Sequence, residues 1–122
     1  MAATVPARVL LIDDHIGLQT ALATALQFSE NVELAGTART LTDGIAQINA
    51  GNIDSVILDL YLPDVSGLEA VKTLRAHAPT QRIIVYSAAD DDDLMDNARP
   101  YADVVLSKGS LRPLLEALQP ER

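Results

Sequence analysis

The sequence predicts a doubly wound α/β fold, a five-stranded parallel sheet with helices on both faces. Three observations lead there. The strand candidates are solid aliphatic runs, such as Val9-Leu10-Leu11-Ile12, Val56-Ile57-Leu58 and Ile83-Ile84-Val85-Tyr86, and a run without polar alternation implies a sheet covered on both sides. Each run is followed by a segment of helical period, so that a β-α unit repeats five times with short links. Right-handed crossovers then leave a sandwich with helices above and below the sheet.

The chain opens with a turn-like tail over 1–7, and the core spans about 8–119 of a single 1–122 unit. Arg8 to Ile12 forms the first strand and stops at Asp13-Asp14-His15. Leu18, Ala21, Leu22, Ala25 and Leu26 space the apolar stripe of the first helix. Val32 to Gly36 alternates like a strand exposed on one side. Leu41, Ile45 and Ile48 space a second helix, closed by Gly51 at the position after the C-cap. The third strand, Val56 to Leu60, carries Asp59 near its end and runs into Tyr61-Leu62-Pro63-Asp64-Val65-Ser66-Gly67, a loop by its proline and glycine. Ser66 is the expected cap of a third helix over Leu68, Val71, Leu74 and Ala78, stopped by Pro79. The fourth strand ends at Ser87, and the acidic run Asp90–Asp93 suits the start of a short fourth helix that Pro100 ends early. Val104-Val105-Leu106 is the fifth strand, reaching Ser107-Lys108-Gly109. Ser110 caps the last helix, where Leu111, Leu114, Leu115 and Leu118 share a face and Pro113 falls in the first turn.

Composition narrows the function. At 122 residues the chain is of one-domain length, and 48% hydrophobic with 21% charged residues is an ordinary globular composition. Without cysteine there is neither a disulfide nor a thiolate metal site, which fits a reducing cytoplasm. No apolar run approaches the length of about 18 residues that a membrane span needs, and the start lacks the pattern of a signal peptide. A formal net charge of −8 repels phosphate backbones, so direct nucleic-acid binding is not expected.

In such a sheet ligands bind beyond the carboxyl ends of the strands, where strand order reverses. Four strands deliver polar groups there: Asp13 and Asp14, Asp59, Ser87, and Lys108. Taken singly each has a plain reading: Asp13-Asp14 as a capping pair, Asp59 as a turn former, Ser87 as a turn hydroxyl, Lys108 as a solvated lysine. Jointly they form a site. Crowded carboxylates are costly unless a cation joins them, and hard oxygen donors favour Mg²⁺. A lysine and a hydroxyl beside that ion suit a phosphoryl group, and a carboxylate nucleophile would become an aspartyl phosphate. His15 could approach the metal but reads first as a solvated histidine at a helix start, and His77, near a helix C-terminus, receives no function.

The set Asp13-Asp14, Asp59, Ser87-Ala88 and Lys108, one group at each strand end, resembles the receiver domain of two-component response regulators from about Val9 to Leu118. Asp13-Asp14-His15 with Asp59-Leu60-Tyr61-Leu62-Pro63 further resembles the subgroup whose outputs are helix-turn-helix DNA-binding domains. The resemblance implies the flavodoxin-like strand order 2-1-3-4-5. It implies that Asp59 accepts phosphate from a histidine kinase or a phosphotransfer protein. Mg²⁺ would be held by Asp14 directly, by Asp13 mainly through water, by Asp59, and by the Tyr61 backbone carbonyl. Lys108 would hold one phosphoryl oxygen and Ser87 would move to bind another, switching an output domain or partner. Self-association through the last helix region is a further implication.

The chain departs from that pattern in three places, one of them the fourth helix region, whose Asp90–Asp93 run and Pro100 are unlike the family's regular helix. Val105 stands where the family usually has an aromatic residue, and Gly109 where proline often follows the lysine. Two alternatives follow. One is a receiver-like interaction module with weak or no phosphorylation-dependent switching. The other is a phosphatase with an aspartyl intermediate, which would need an acid-base residue where Tyr61 stands. A flavin module fits less well, because the acidic pocket repels the flavin phosphate.

Overall fold

A computed structural model describes residues 5–88 and 92–120. The order of elements is β1 (Ala7–Ile12), α1 (Ile16–Leu26), β2 (Val32–Ala38), α2 (Leu41–Asn49), β3 (Ser55–Leu58), α3 (Leu68–His77), β4 (Arg82–Ser87), α4 (Asp92–Ala98), β5 (Val104–Ser107) and α5 (Arg112–Leu118), with a 3-10 turn at Arg99–Tyr101. The strands form one sheet in the order β2-β1-β3-β4-β5, and every pairing is parallel. The expected doubly wound fold is therefore the one observed.

Successive side chains on a strand point to opposite faces, so a solid aliphatic strand serves two cores at once. Leu10, Ile12, Val56, Leu58, Ile83 and Val85 enter one buried cluster, with Leu41 of α2, Leu74 of α3 and Met95 of α4. Val9, Leu11, Ile57, Ile84 and Tyr86 enter the other, with Leu22 and Leu26 of α1 and Leu114 and Leu118 of α5. Burying each such side chain is worth about 1.5–3 kcal/mol, which is why the central strands β1, β3 and β4 anchor the fold.

Several boundaries differ from the sequence reading. The stripe on α1 is narrower than expected: Leu22 and Leu26 are buried, whereas Ala21 and Ala25 are exposed. The alanines are too small to bridge to the sheet, and the leucines alone reach it. β2 extends to Ala38, and β3 stops at Leu58, so that Asp59 and Leu60 lie buried in the following loop. The cap of α3 is Gly67, not Ser66. Gly67 takes φ 69° and ψ −149°, a conformation essentially reserved for glycine, and the turn into the helix therefore depends on its missing Cβ. Gly51, by contrast, has the expected role: with φ 95° it donates its N–H to the Ile48 carbonyl at 3.0 Å and closes α2. Ser110 accepts from the Arg112 N–H at 3.2 Å, a capping bond made one residue before the N-cap Leu111. α4 ends at Ala98 and the chain tightens through Pro100 in the 3-10 turn; Asp90 and Asp91 of the acidic run lie outside the described residues.

Two further contacts fix the loops around the carboxyl edge. Asp64, in the loop after β3, accepts from the Leu41 and Thr42 N–H groups at 2.9 and 3.0 Å and from the Thr42 hydroxyl at 2.9 Å. It caps α2 from 23 residues away. Gly44 lets α2 lie against β1, since a Cβ there would run into Ile12 Cδ1.

Candidate functional site

The strand order reverses between β1 and β3: the chain leaves β1 for β2 on one side and returns to β3 on the other. Ile12 and Leu58 are partners in register, so the residues that follow them, Asp13 and Asp59, emerge side by side. Their backbones are tied into the sheet, Asp59 N–H to the Ile12 carbonyl at 3.0 Å and Asp13 N–H to the Ala38 carbonyl at 2.9 Å. β4 and β5 end next to them, and the Lys108 N–H bonds the Ser87 carbonyl at 2.8 Å. The sheet thus brings together the side chains of Asp13, Asp14, Asp59, Ser87 and Lys108.

Asp59 is 1% exposed and its two oxygens have different surroundings. Oδ1 accepts from the Ser87 hydroxyl at 2.7 Å and from the Tyr61 N–H at 3.2 Å. Ser87 is fully buried and its Oγ accepts in turn from the Leu60 N–H at 3.2 Å. Oδ2 faces Lys108 Nζ at 3.4 Å and His15 Nδ1 at 3.6 Å. Lys108 Nζ also stands 2.7 Å from Asp13 Oδ2. That contact is an ion pair without hydrogen-bond alignment: among the described residues, Asp13 Oδ2 and Asp14 Oδ1 are buried atoms that accept no hydrogen bond. One ammonium therefore pairs with two of the three carboxylates, Asp13 and Asp59, and leaves the buried Asp14 Oδ1 without a hydrogen-bond partner among the described residues. The donor set fits a divalent ion that prefers oxygen.

His15 was expected to be solvated. Its ring is largely exposed, yet Nδ1 lies 2.7 Å from Asp13 Oδ1, 3.5 Å from Asp14 Oδ1 and 3.3 Å from Lys108 Nζ. The His15 N–H donates to Asp13 Oδ1 at 2.9 Å, and this local turn folds the ring back over the acidic groups. The spacing Asp-x-His is the sequence signal for that turn. His77 lies at the end of α3, remote from this edge in the chain order of the sheet.

Val105 is half-buried against the α3 and α4 side of the core, as is Tyr101, whose ring lies 5.9 Å from Lys72 Nζ. Tyr86 belongs to the opposite face and donates its hydroxyl to the Ser110 carbonyl at 3.2 Å. A wide cleft at the amino ends of the strands, bordered by Arg75, Arg82 and Asp103, is far from this chemistry. Its arginines are already engaged: Arg75 bonds the Tyr101 and Gln81 carbonyls and Asp103, and Arg82 bonds the Ala117 carbonyl.

The fold and this edge define a signalling-type α/β module whose acidic cluster, hydroxyl and lysine converge at one strand end. The chain belongs to the response regulator receiver domain family, which it matches over residues 9–119. It is 31% identical over 118 residues to the nitrate/nitrite response regulator protein NarL of Escherichia coli K12, covering 95% of this chain and 50% of that protein. It is 30% identical over 92 residues to a protein-glutamate methylesterase/protein-glutamine glutaminase of Myxococcus xanthus, covering 75% of this chain and 26% of that one. A crystal structure of a two-component response regulator of the LuxR family from Aurantimonas sp. SI85-9A1 superposes with a TM-score of 0.80 at 22% identity, over 93% of this chain and 85% of the other. The chain spans about half the length of the NarL relative. No helix among the described residues is long and apolar enough to cross a membrane.

Proposed function

We propose that Asp59 is the phosphoacceptor of this receiver domain, supplied by the phosphohistidine of a cytoplasmic histidine kinase or phosphotransfer protein. The supporting observation is the asymmetry of its carboxylate. Oδ1 is held by Ser87 and the Tyr61 N–H, while Oδ2 is directed at Lys108 and accepts no other hydrogen bond from the described residues. Oδ2 attacks phosphorus, the P–N bond breaks, and the donor imidazole keeps the electron pair. Lys108 meets the charge on a phosphoryl oxygen, and Ser87 turns its hydroxyl from Oδ1 to another. Asp13, Asp14, Asp59 and the Tyr61 backbone carbonyl are the residues that would hold Mg²⁺, which when bound offsets the negative charge of carboxylates and phosphoryl group alike.

The module promotes its own modification and turns over no external substrate; the methylesterase relative owes three quarters of its length to regions outside this match. Incubation with Mg²⁺ and acetyl phosphate is expected to add one phosphate to the intact protein. Asp59→Ala is expected to abolish the gain, and its persistence in that variant overturns the assignment.

A second reading, an interaction module that acts without phosphorylation, is favoured by Val105 in the place of an aromatic residue and by a Ser87 already bonded to Asp59. It predicts that Asp59→Ala binds the partner as the unmodified protein does.

A further inference from the structure

We propose that His15 is an additional metal ligand, and that the site it completes takes a borderline first-row ion of the Zn²⁺ type more tightly than Mg²⁺. This inference rests on the reading of Asp13, Asp14 and Asp59 as a cation site and extends it by one residue. One donor atom each from Asp13, Asp14, His15 and Asp59 lie within 4.8 Å of one another. Around an ion with bonds of about 2.1 Å, donors at right angles stand about 3 Å apart and opposed donors about 4.2 Å. His15 Nδ1 is 3.5 and 3.6 Å from the nearest oxygens of Asp14 and Asp59, within that range, and its 2.7 Å contact with Asp13 Oδ1 is a hydrogen bond that a bound ion would replace.

The ring is not there by chance of rotamer alone. The His15 N–H bond to Asp13 Oδ1 fixes the turn that directs it, and the side chain makes no capping bond for α1. A second observation is the fully buried Asp13 side chain, whose Oδ2, among the described residues, accepts no hydrogen bond and is met only by the Lys108 ammonium at 2.7 Å. Small outward movement of that lysine, which is 21% exposed, opens the oxygen to an ion. Three carboxylates alone suit Mg²⁺, but an imidazole nitrogen adds little for so hard an ion. For Zn²⁺ and its neighbours the same nitrogen is a preferred donor.

The chain contains two histidines, which makes the test direct. Zn²⁺ and Mg²⁺ affinities are measured by calorimetry on the full chain, on His15→Ala and on Asp13→Ala, and the ring nitrogen resonances of His15 and His77 are followed during each titration. The expected result is a Zn²⁺ affinity at least tenfold weaker in His15→Ala, a Mg²⁺ affinity changed by less than threefold, and a Zn²⁺-dependent shift of His15 Nδ1 with His77 unmoved. Equal Zn²⁺ affinity in His15→Ala, or a stationary His15 resonance, overturns the inference while leaving the carboxylate site intact. Retention of both affinities in Asp13→Ala overturns the carboxylate site and this inference together.

Discussion

Replacing Asp59 by asparagine removes one charge from a cluster in which carboxylates outnumber ammonium groups. One carboxylate oxygen each from Asp13, Asp14 and Asp59 lie within 4.8 Å of each other, so at an effective dielectric constant near 20 each carboxylate neighbour repels Asp59 by at least about 3.5 kcal/mol. Lys108 at 3.4 Å returns about 5 kcal/mol. Repulsion therefore exceeds attraction by about 2 kcal/mol, and the exposure of Asp14 reduces the net effect to about 1–2 kcal/mol. Asparagine keeps an oxygen to accept from Ser87 and the Tyr61 N–H, so the hydrogen bonds at Oδ1 need not be lost. In metal-free buffer Asp59→Asn is expected to be the more stable protein, with a thermal midpoint raised by about 3–8 °C. Added Mg²⁺ is expected to narrow the difference, because it stabilises the three-carboxylate protein more than the variant. Thermal unfolding followed by circular dichroism, with chelator and with Mg²⁺, reads both effects. A lower midpoint for Asp59→Asn in chelator would refute the charge imbalance on which the cation site is argued.

The same imbalance makes Lys108→Ala costly: two buried carboxylates lose their ammonium, and a loss of about 3 kcal/mol in urea unfolding is expected, partly restored by Mg²⁺. Gly67→Ala adds a Cβ with nothing within 4 Å, so any loss comes from the backbone conformation alone, at about 1–3 kcal/mol by the same assay. Acid stability depends in part on Asp64 and Asp103. Burial pushes both carboxyls up, but for Asp64 the Leu41 and Thr42 bonds outweigh it, and for Asp103 the Ile83 N–H bond and the Arg75 and Arg82 charges do, so both titrate below their ordinary 3.8. Carboxyls depressed in the folded state contribute stability that is complete above the unfolded value and is lost as the pH falls through 3.8 and below. Asp64→Asn, which keeps one acceptor oxygen for the helix cap, is accordingly expected to flatten the pH profile in that window; an unchanged profile in the variant counts against this assignment.

The fold was legible because its central strands are aliphatic on both faces. Val9 to Ile12 and Ile83 to Val85 have no polar residue to tell one side from the other, and only a sheet buried between helix layers uses such strands. The site was legible for a related reason. The polar residues stand immediately after those runs, and parallel strands bring their carboxyl ends to one edge, so position in the chain gave position in space for Asp13, Asp59, Ser87 and Lys108. What was not legible depends on distance and on backbone angle. Asp64 caps a helix 23 residues back, a pairing no local pattern contains. Ser66 has the chemistry of a cap, but the chain reverses so sharply that glycine at 67 takes the place. The contact of His15 with the acidic groups was open to local reading, since an Asp two residues ahead accepts the histidine N–H, while its ring stays largely exposed as a helix start suggests.

The claim on which the account depends is that Asp59, and no neighbouring carboxylate, receives the phosphoryl group. Borohydride reduces an aspartyl phosphate to homoserine, so phosphorylation in Mg²⁺, reduction and peptide sequencing by mass spectrometry locate the modified residue. Homoserine at position 59 alone is the predicted result. Homoserine at Asp13 or Asp14, or none at any position after phosphodonor treatment, would contradict the account.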